Sequence, residues 1–112
     1  EYVRNECQGL TIVNESKRFK NPDLKPCRRY YCDVTYDKVS KGRAVKAVCE
    51  YLEIEADEII TIGDGENDLS MFDQTPNSVA MENALPMIKK KARYVTASND
   101  DDGVAKVLAK LY

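Results

Sequence analysis

Residues 61 to 73, TIGDGENDLSMFD, bring Asp64, Asn67 and Asp68 into one short glycine-hinged stretch directly after the apolar run EIITIG at 58–63. Oxygen donors of this kind suit Mg2+, which takes one or two protein carboxylates and completes its shell with water and phosphate. A side-chain amide beside them can donate to a phosphate oxygen. The spacing therefore suggests a hard cation held next to a phosphate. Asp64 follows Gly63 at the mouth of a predicted strand, where open parallel sheets bind their ligands. Gly65 permits a backbone geometry that other residues resist, and Asn67 and Asp68 open the next helix.

Other chemistry fits the loop less well. An EF-hand requires glycine where Leu69 stands. A dinucleotide fingerprint needs a third glycine and tolerates no carboxylate at its closest approach. A plain turn with a helix cap stays open on D-G-x-N alone, because Asp, Gly and Asn are all common turn residues.

The elements that must position this loop follow from periodicity. LTIVN at 10–14 and RRYYCDVTY at 28–36 are rich in β-branched and aromatic residues and are predicted strands, with a polar, proline-containing loop between them. From Ser40 the pattern alternates. KGRAVKAVCEYL places Ala44, Val45, Val48, Cys49 and Leu52 on one face of an amphipathic helix capped by Ser40. EIITIG is a buried parallel strand. NDLSMFDQ predicts a short helix with Leu69 and Phe72 or Met71 turned inward. NSVAM follows as a strand, ALPMIKKKA as a helix, RYVTA as a strand and DGVAKVLAKLY as a closing helix. Strands alternating with short helices make a parallel, helix-covered sheet.

The totals set bounds. A chain of 112 residues is one domain or a piece of a larger one, and 43% hydrophobic and 32% charged residues are ordinary for a globular protein. A formal charge of −2 favours neither a nucleic-acid surface nor an acidic tail. No apolar run approaches the roughly 20 residues of a membrane span, and no leader peptide is visible. The expected partners thus include neither nucleic acid nor membrane, and the expected setting is cytoplasmic. Cys7, Cys27, Cys32 and Cys49 come without histidine or a C-x-x-C pair, which makes zinc a poor reading and reduced, structural thiols the expectation.

KGRAV, GDGEND, SVAMENA and KKKARYVTASNDDDGV, in this order and spacing, resemble the C-terminal part of a haloacid dehalogenase (HAD)-superfamily phosphatase of the Cof type, from about Val39 to the end. The resemblance implies an α/β fold: residues 39–112 as the C-terminal part of a HAD-like Rossmannoid parallel sheet covered by helices, and residues 1–38 as the end of an α/β cap domain. The cap assignment rests on position, since 1–38 carry no matching motif. Lys41 then corresponds to the catalytic lysine that binds the transferring phosphoryl group, with Lys38 as the alternative. Asp64 corresponds to the Mg2+-binding aspartate, Asn67 to the amide that contacts phosphate, and Asp68 to the second acidic position, supporting the metal directly or through water. Asn83 holds the neighbouring loop. Pro76-Asn77 and Glu82 depart from the family pattern and should alter loops more than chemistry.

The function so implied is a Mg2+-dependent phosphatase acting on small phosphorylated metabolites such as sugar phosphates, through an aspartyl-phosphate. The nucleophile of such enzymes lies in an N-terminal D-x-D-G-[TV] motif that is not in its expected place here. DDDGV at 100–104 matches by letter, but Ser98 and Asn99 separate Asp100 from the strand, and acidic residues favour a helix N-terminus without any catalysis. The chain alone is thus expected to be inactive, and to associate with a missing N-terminal part or a second copy. Two alternatives are a non-catalytic phosphate- or partner-binding module and the phosphorylation domain of a P-type ATPase.

Overall fold

The computed structural model describes residues 8–13 and 33–112. The predicted loop at 14–26, the first half of the predicted strand at 28–36, and Cys7, Cys27 and Cys32 lie outside the described residues. The chain divides into two units, residues 1–39 and 40–112.

In the first unit, β1 (Leu10–Val13) pairs antiparallel with β2 (Asp33–Tyr36), Leu10 opposite Tyr36 and Val13 opposite Asp33. The turn after β2 closes with the Val39 amide donating to the Tyr36 carbonyl.

The second unit alternates as the pattern requires: α1 (Lys41–Leu52), β3 (Thr61–Gly63), α2 (Leu69–Phe72), β4 (Ser78–Ala80), α3 (Pro86–Lys91), β5 (Tyr94–Val95) and α4 (Gly103–Ala109), with single 3-10 turns at Ala56–Glu58, Glu66–Asp68 and Asn99–Asp101. The three strands are parallel in the order β3-β4-β5, Ile62 opposite Val79 and Ala80 opposite Val95. All three therefore deliver their following loops to one edge of the sheet. β4 is central and buried along its length, whereas both residues of β5 are exposed. Ser40 caps α1, its hydroxyl accepting from the Arg43 amide, and satisfies one of the donors that a helix start leaves unpaired.

The core is small. Phe72, Ala80, Ala84 and Ile88 form its buried cluster, with Leu69 and Ala92 packed against it. Phe72 is thus the inward aromatic of α2, while Met71 is half-buried and lines a groove with Ala44, Val45, Val48, Cys49, Ile59 and Ile60. That groove corrects the expectation for α1. Its apolar face exists, but Val48 and Leu52 are more than half exposed, and Gly42 is the only buried residue of the helix. The face borders β3, which is an edge strand of the described sheet.

Thr75 is buried, and its hydroxyl donates to the Ile59 carbonyl while accepting from the Asn77 amide. The Asn77 side chain donates to the carbonyls of Asp57 and Ile59. Asn77 thereby ties the entry of β3 to the entry of β4, a contact that glycine could not make. Ile88 is fully buried in the cluster with Phe72, Ala80 and Ala84, so Ile88→Ala should lower stability by about 2–5 kcal/mol. Urea unfolding monitored by circular dichroism measures that loss.

Candidate functional site

Asp68 is the centre of the loop after β3. Its side chain is 5% exposed, and both carboxylate oxygens are engaged. Oδ1 accepts from Lys41 Nζ at 2.5 Å. Oδ2 accepts from the backbone amides of Asp64 at 2.9 Å and Gly65 at 3.0 Å. The 3-10 turn at Glu66–Asp68 folds the carboxylate back over the two amides that leave the strand. Two glycines make this approach possible. A Cβ on Gly63 would sit 2.4 Å from Asp68 Cβ, and one on Gly42 would sit 2.1 Å from the Ser70 carbonyl oxygen.

Gly42 also explains how a lysine 27 residues upstream reaches Asp68. The Gly42 amide, an otherwise unpaired donor in the first turn of α1, donates to Ser70 Oγ at 3.0 Å. Ser70 Oγ in turn donates to the Asn67 carbonyl at 3.3 Å. Ser70 thus docks the start of α1 on the loop and delivers Lys41 to Asp68. Ser70 is not legible as a site residue from sequence, because nothing local marks a hydroxyl that caps a distant helix. Lys41 Nζ keeps two further N–H donors, and its side chain is 49% exposed, so it can still meet a ligand.

Asp64 stands at the strand mouth with an exposed side chain. Its Oδ2 accepts from Asn83 Nδ2 at 3.3 Å, and its Oδ1 has no protein partner among the described residues. Asn67 lies in the same turn, with its Oδ1 over Gly65, and its side-chain amide donates to no described residue. Lys41, Asp64, Asn67 and Asp68 are thus joined at one end of β3, with Asp68 as the shared partner of Lys41 and of the Asp64 backbone.

The DDDGV segment folds differently. Asp100 and Asp101 lie in the 3-10 turn, Ser98 Oγ donates to Asp101 Oδ2 at 2.8 Å, and Asp102 takes the left-handed conformation with φ 56° before α4 starts at Gly103. These acidic residues form the entry to a helix.

The donor set bears on which cation could bind. No group of three or more His, Cys, Asp or Glu side chains gathers to hold a metal among the described residues. A single outward carboxylate oxygen on Asp64 fits Mg2+, which relies on water and phosphate for most of its shell. It does not fit a soft or fully protein-caged ion. Asp68, with both oxygens committed to Lys41 and to backbone amides, is disposed to hold the frame of such a site.

Residues 10–108 match the family of haloacid dehalogenase-like hydrolases. The chain belongs to that family. A Bacillus subtilis 5-amino-6-(5-phospho-D-ribitylamino)uracil phosphatase is 45% identical over 71 residues, 63% of this chain and 25% of its own length. Among solved structures, a haloacid dehalogenase-like hydrolase from Bacteroides thetaiotaomicron is 30% identical with a TM-score of 0.77, over 98% of this chain and 37% of that one. The HAD subclass IIB sugar phosphatase BT4131 is 32% identical with a TM-score of 0.66, over 78% of this chain and 32% of that one. The chain spans 30% and 43% of the length of two further curated relatives.

Burial acts to raise the Asp68 carboxyl, but the Lys41 ammonium and the amides of Gly65 and Asp64 outweigh it and hold the group below its ordinary value. A carboxyl depressed in the folded state contributes stability that is present above its unfolded value, about 3.9. That contribution is lost as pH falls through the folded value. Stability should therefore decline from about pH 4 downward, and Asp68→Asn should flatten the decline while lowering stability at neutral pH. Denaturant midpoints for both proteins across this range measure the difference.

Proposed function

We propose that this chain is the C-terminal part of a Mg2+-dependent phosphatase that hydrolyses small phosphorylated metabolites, sugar phosphates foremost, through an aspartyl-phosphate. The nucleophilic aspartate is supplied by residues outside this chain, so the chain alone is inactive. The observation that carries this reading is the buried carboxylate of Asp68, which holds both the Lys41 ammonium and the amides that frame Asp64. Two of the relatives, one acting on a phosphorylated ribitylaminouracil and the other a sugar phosphatase, support the substrate class.

In this reading Lys41 donates to the phosphoryl oxygens with the N–H groups that Asp68 leaves free. Asn67 offers its unpartnered amide to the same phosphate. Asp64 holds Mg2+ through Oδ1, and Asp68 keeps Lys41 aimed. Mg2+, when bound, supplies positive charge against the phosphoryl oxygens. None of these groups has to reorganise during the transfer, which is where fixed charges contribute most to catalysis. Residues 1–38 are the end of the cap domain and 39–112 the end of the core. No described helix is long and apolar enough to cross a membrane, and the setting is cytoplasmic.

The test is phosphate release from a panel of sugar phosphates by the intact protein that carries these residues, with Mg2+ and with chelator. Chelation and Asp64→Asn should each abolish turnover. Lys41→Ala should lower kcat by about 100-fold or more, the usual cost of removing a charge-stabilising donor. Turnover that survives both chelation and Asp64→Asn overturns the reading.

A further inference from the structure

Among the described residues, Asn83 is the exposed side chain whose bonds join the loops after β3, β4 and β5. It sits in the turn after β4, between the buried Met81 and Ala84, and the Ala84 amide closes that turn on the Met81 carbonyl. Its backbone is thus fixed although its side chain is exposed. Asn83 Nδ2 donates to Asp64 Oδ2 at 3.3 Å, in the loop after β3. Asn83 Oδ1 accepts from the Asn99 backbone amide at 2.9 Å, in the loop after β5. The second bond decides the first: a backbone N–H can only meet the carbonyl end of the amide, so the NH2 end must face the carboxylate. The loops after β4 and β5 are also tied through backbone, the Glu82 amide donating to the Ala97 carbonyl.

We infer that Asn83 is a positioning residue for Asp64, its amide fixing the carboxylate with Oδ2 occupied and Oδ1 directed to the cation, and its own orientation set by the Asn99 amide. The inference rests on the reading of Asp64 as the Mg2+ carboxylate. An exposed hydrogen bond at this distance adds little stability, so what Asn83 contributes is orientation. An exposed aspartate without it rotates among its rotamers, and each binding event must then select one of them.

Two substitutions separate the parts. Asn83→Ala removes both bonds. Asn99→Pro removes the backbone donor that orients Asn83 and leaves the Asn83 side chain in place, at the further loss of the exposed bond from Asn99 Nδ2 to Asp100 Oδ1 at 3.4 Å. Proline is compatible there, because Ser98 is already extended, with φ −68° and ψ 169°, and Asn99 opens a helical turn. Mg2+ titration of the intact protein, followed in its 1H–15N spectrum, gives the affinity and reports the Asn83 side-chain amide directly. Amide hydrogen exchange at Asn99 reports the latch. Asn83→Ala should weaken Mg2+ by about 10-fold, the scale of an outer-shell partner, with unchanged thermal stability and faster exchange at Asn99. Asn99→Pro should give an intermediate loss. Faster exchange at Asn99 with unaltered Mg2+ affinity would show a loop tie alone and overturn the inference while leaving the phosphatase reading intact. Absence of Mg2+ binding in the unsubstituted protein would overturn both.

Discussion

Everything at the functional edge depends on one buried carboxylate. Asp68 has lost nearly all its contact with water, a cost that would ordinarily favour its neutral form. It remains charged because an ammonium and two backbone amides replace the lost solvent. A buried charge of this kind is costly to leave unpaired, so the pair enforces a geometry. Lys41 must be at the start of α1, α1 must lie against Ser70, and the chain must turn back directly after β3. Removing Lys41 leaves the buried Asp68 carboxylate without its cation, and removing Asp68 leaves the loop that presents Asp64 without its frame.

That constraint also accounts for residue choices that would otherwise look arbitrary. Gly63 and Gly42 are glycines because Asp68 and Ser70 occupy the space where their Cβ atoms would be. Ser70 is a hydroxyl because the first turn of α1 arrives with an unsatisfied amide. The site is therefore built by close packing of backbone around one charged group, with Asp64 and Asn67 left facing outward on a rigid base. A binding edge with this division, an inner ion pair for support and outer groups for ligand, suits a reaction in which fixed charge meets phosphate.

Much of this was legible in sequence. The strand-loop-helix reading of TIGDGENDLSMFD holds because local signals, an apolar run, hinge glycines and capping residues, agree with the final packing. The order of elements after Ser40 holds for the same reason. The roles within the site were less legible. Asp64 and Asp68 look alike as letters, and only the fold reveals that one points out while the other is consumed by Lys41. The Ser70 and Asn83 contacts join positions 28 and 19 residues apart, and no periodicity encodes such pairings. The open face of α1 was also invisible, since an apolar stripe predicts burial without saying what buries it.

That open face and the architecture of the sheet lead to one last step. β3 leads into the loop of Asp64 and Asp68, yet it is an edge strand of the described sheet, with the apolar groove of α1 beside it. Thr61, at its start, is buried with a hydroxyl that finds no partner among the described residues. Sheet edges of this kind pair readily with another strand, and a parallel sheet is stable when covered on both faces. A strand added at this edge would run beside Gly63 and end at the loop of Asp64 and Asp68. Of the two edge strands of the described sheet, β3 and β5, it is β3 that leads into the loop of Asp64 and Asp68, so backbone added there would lie nearest the charged groups.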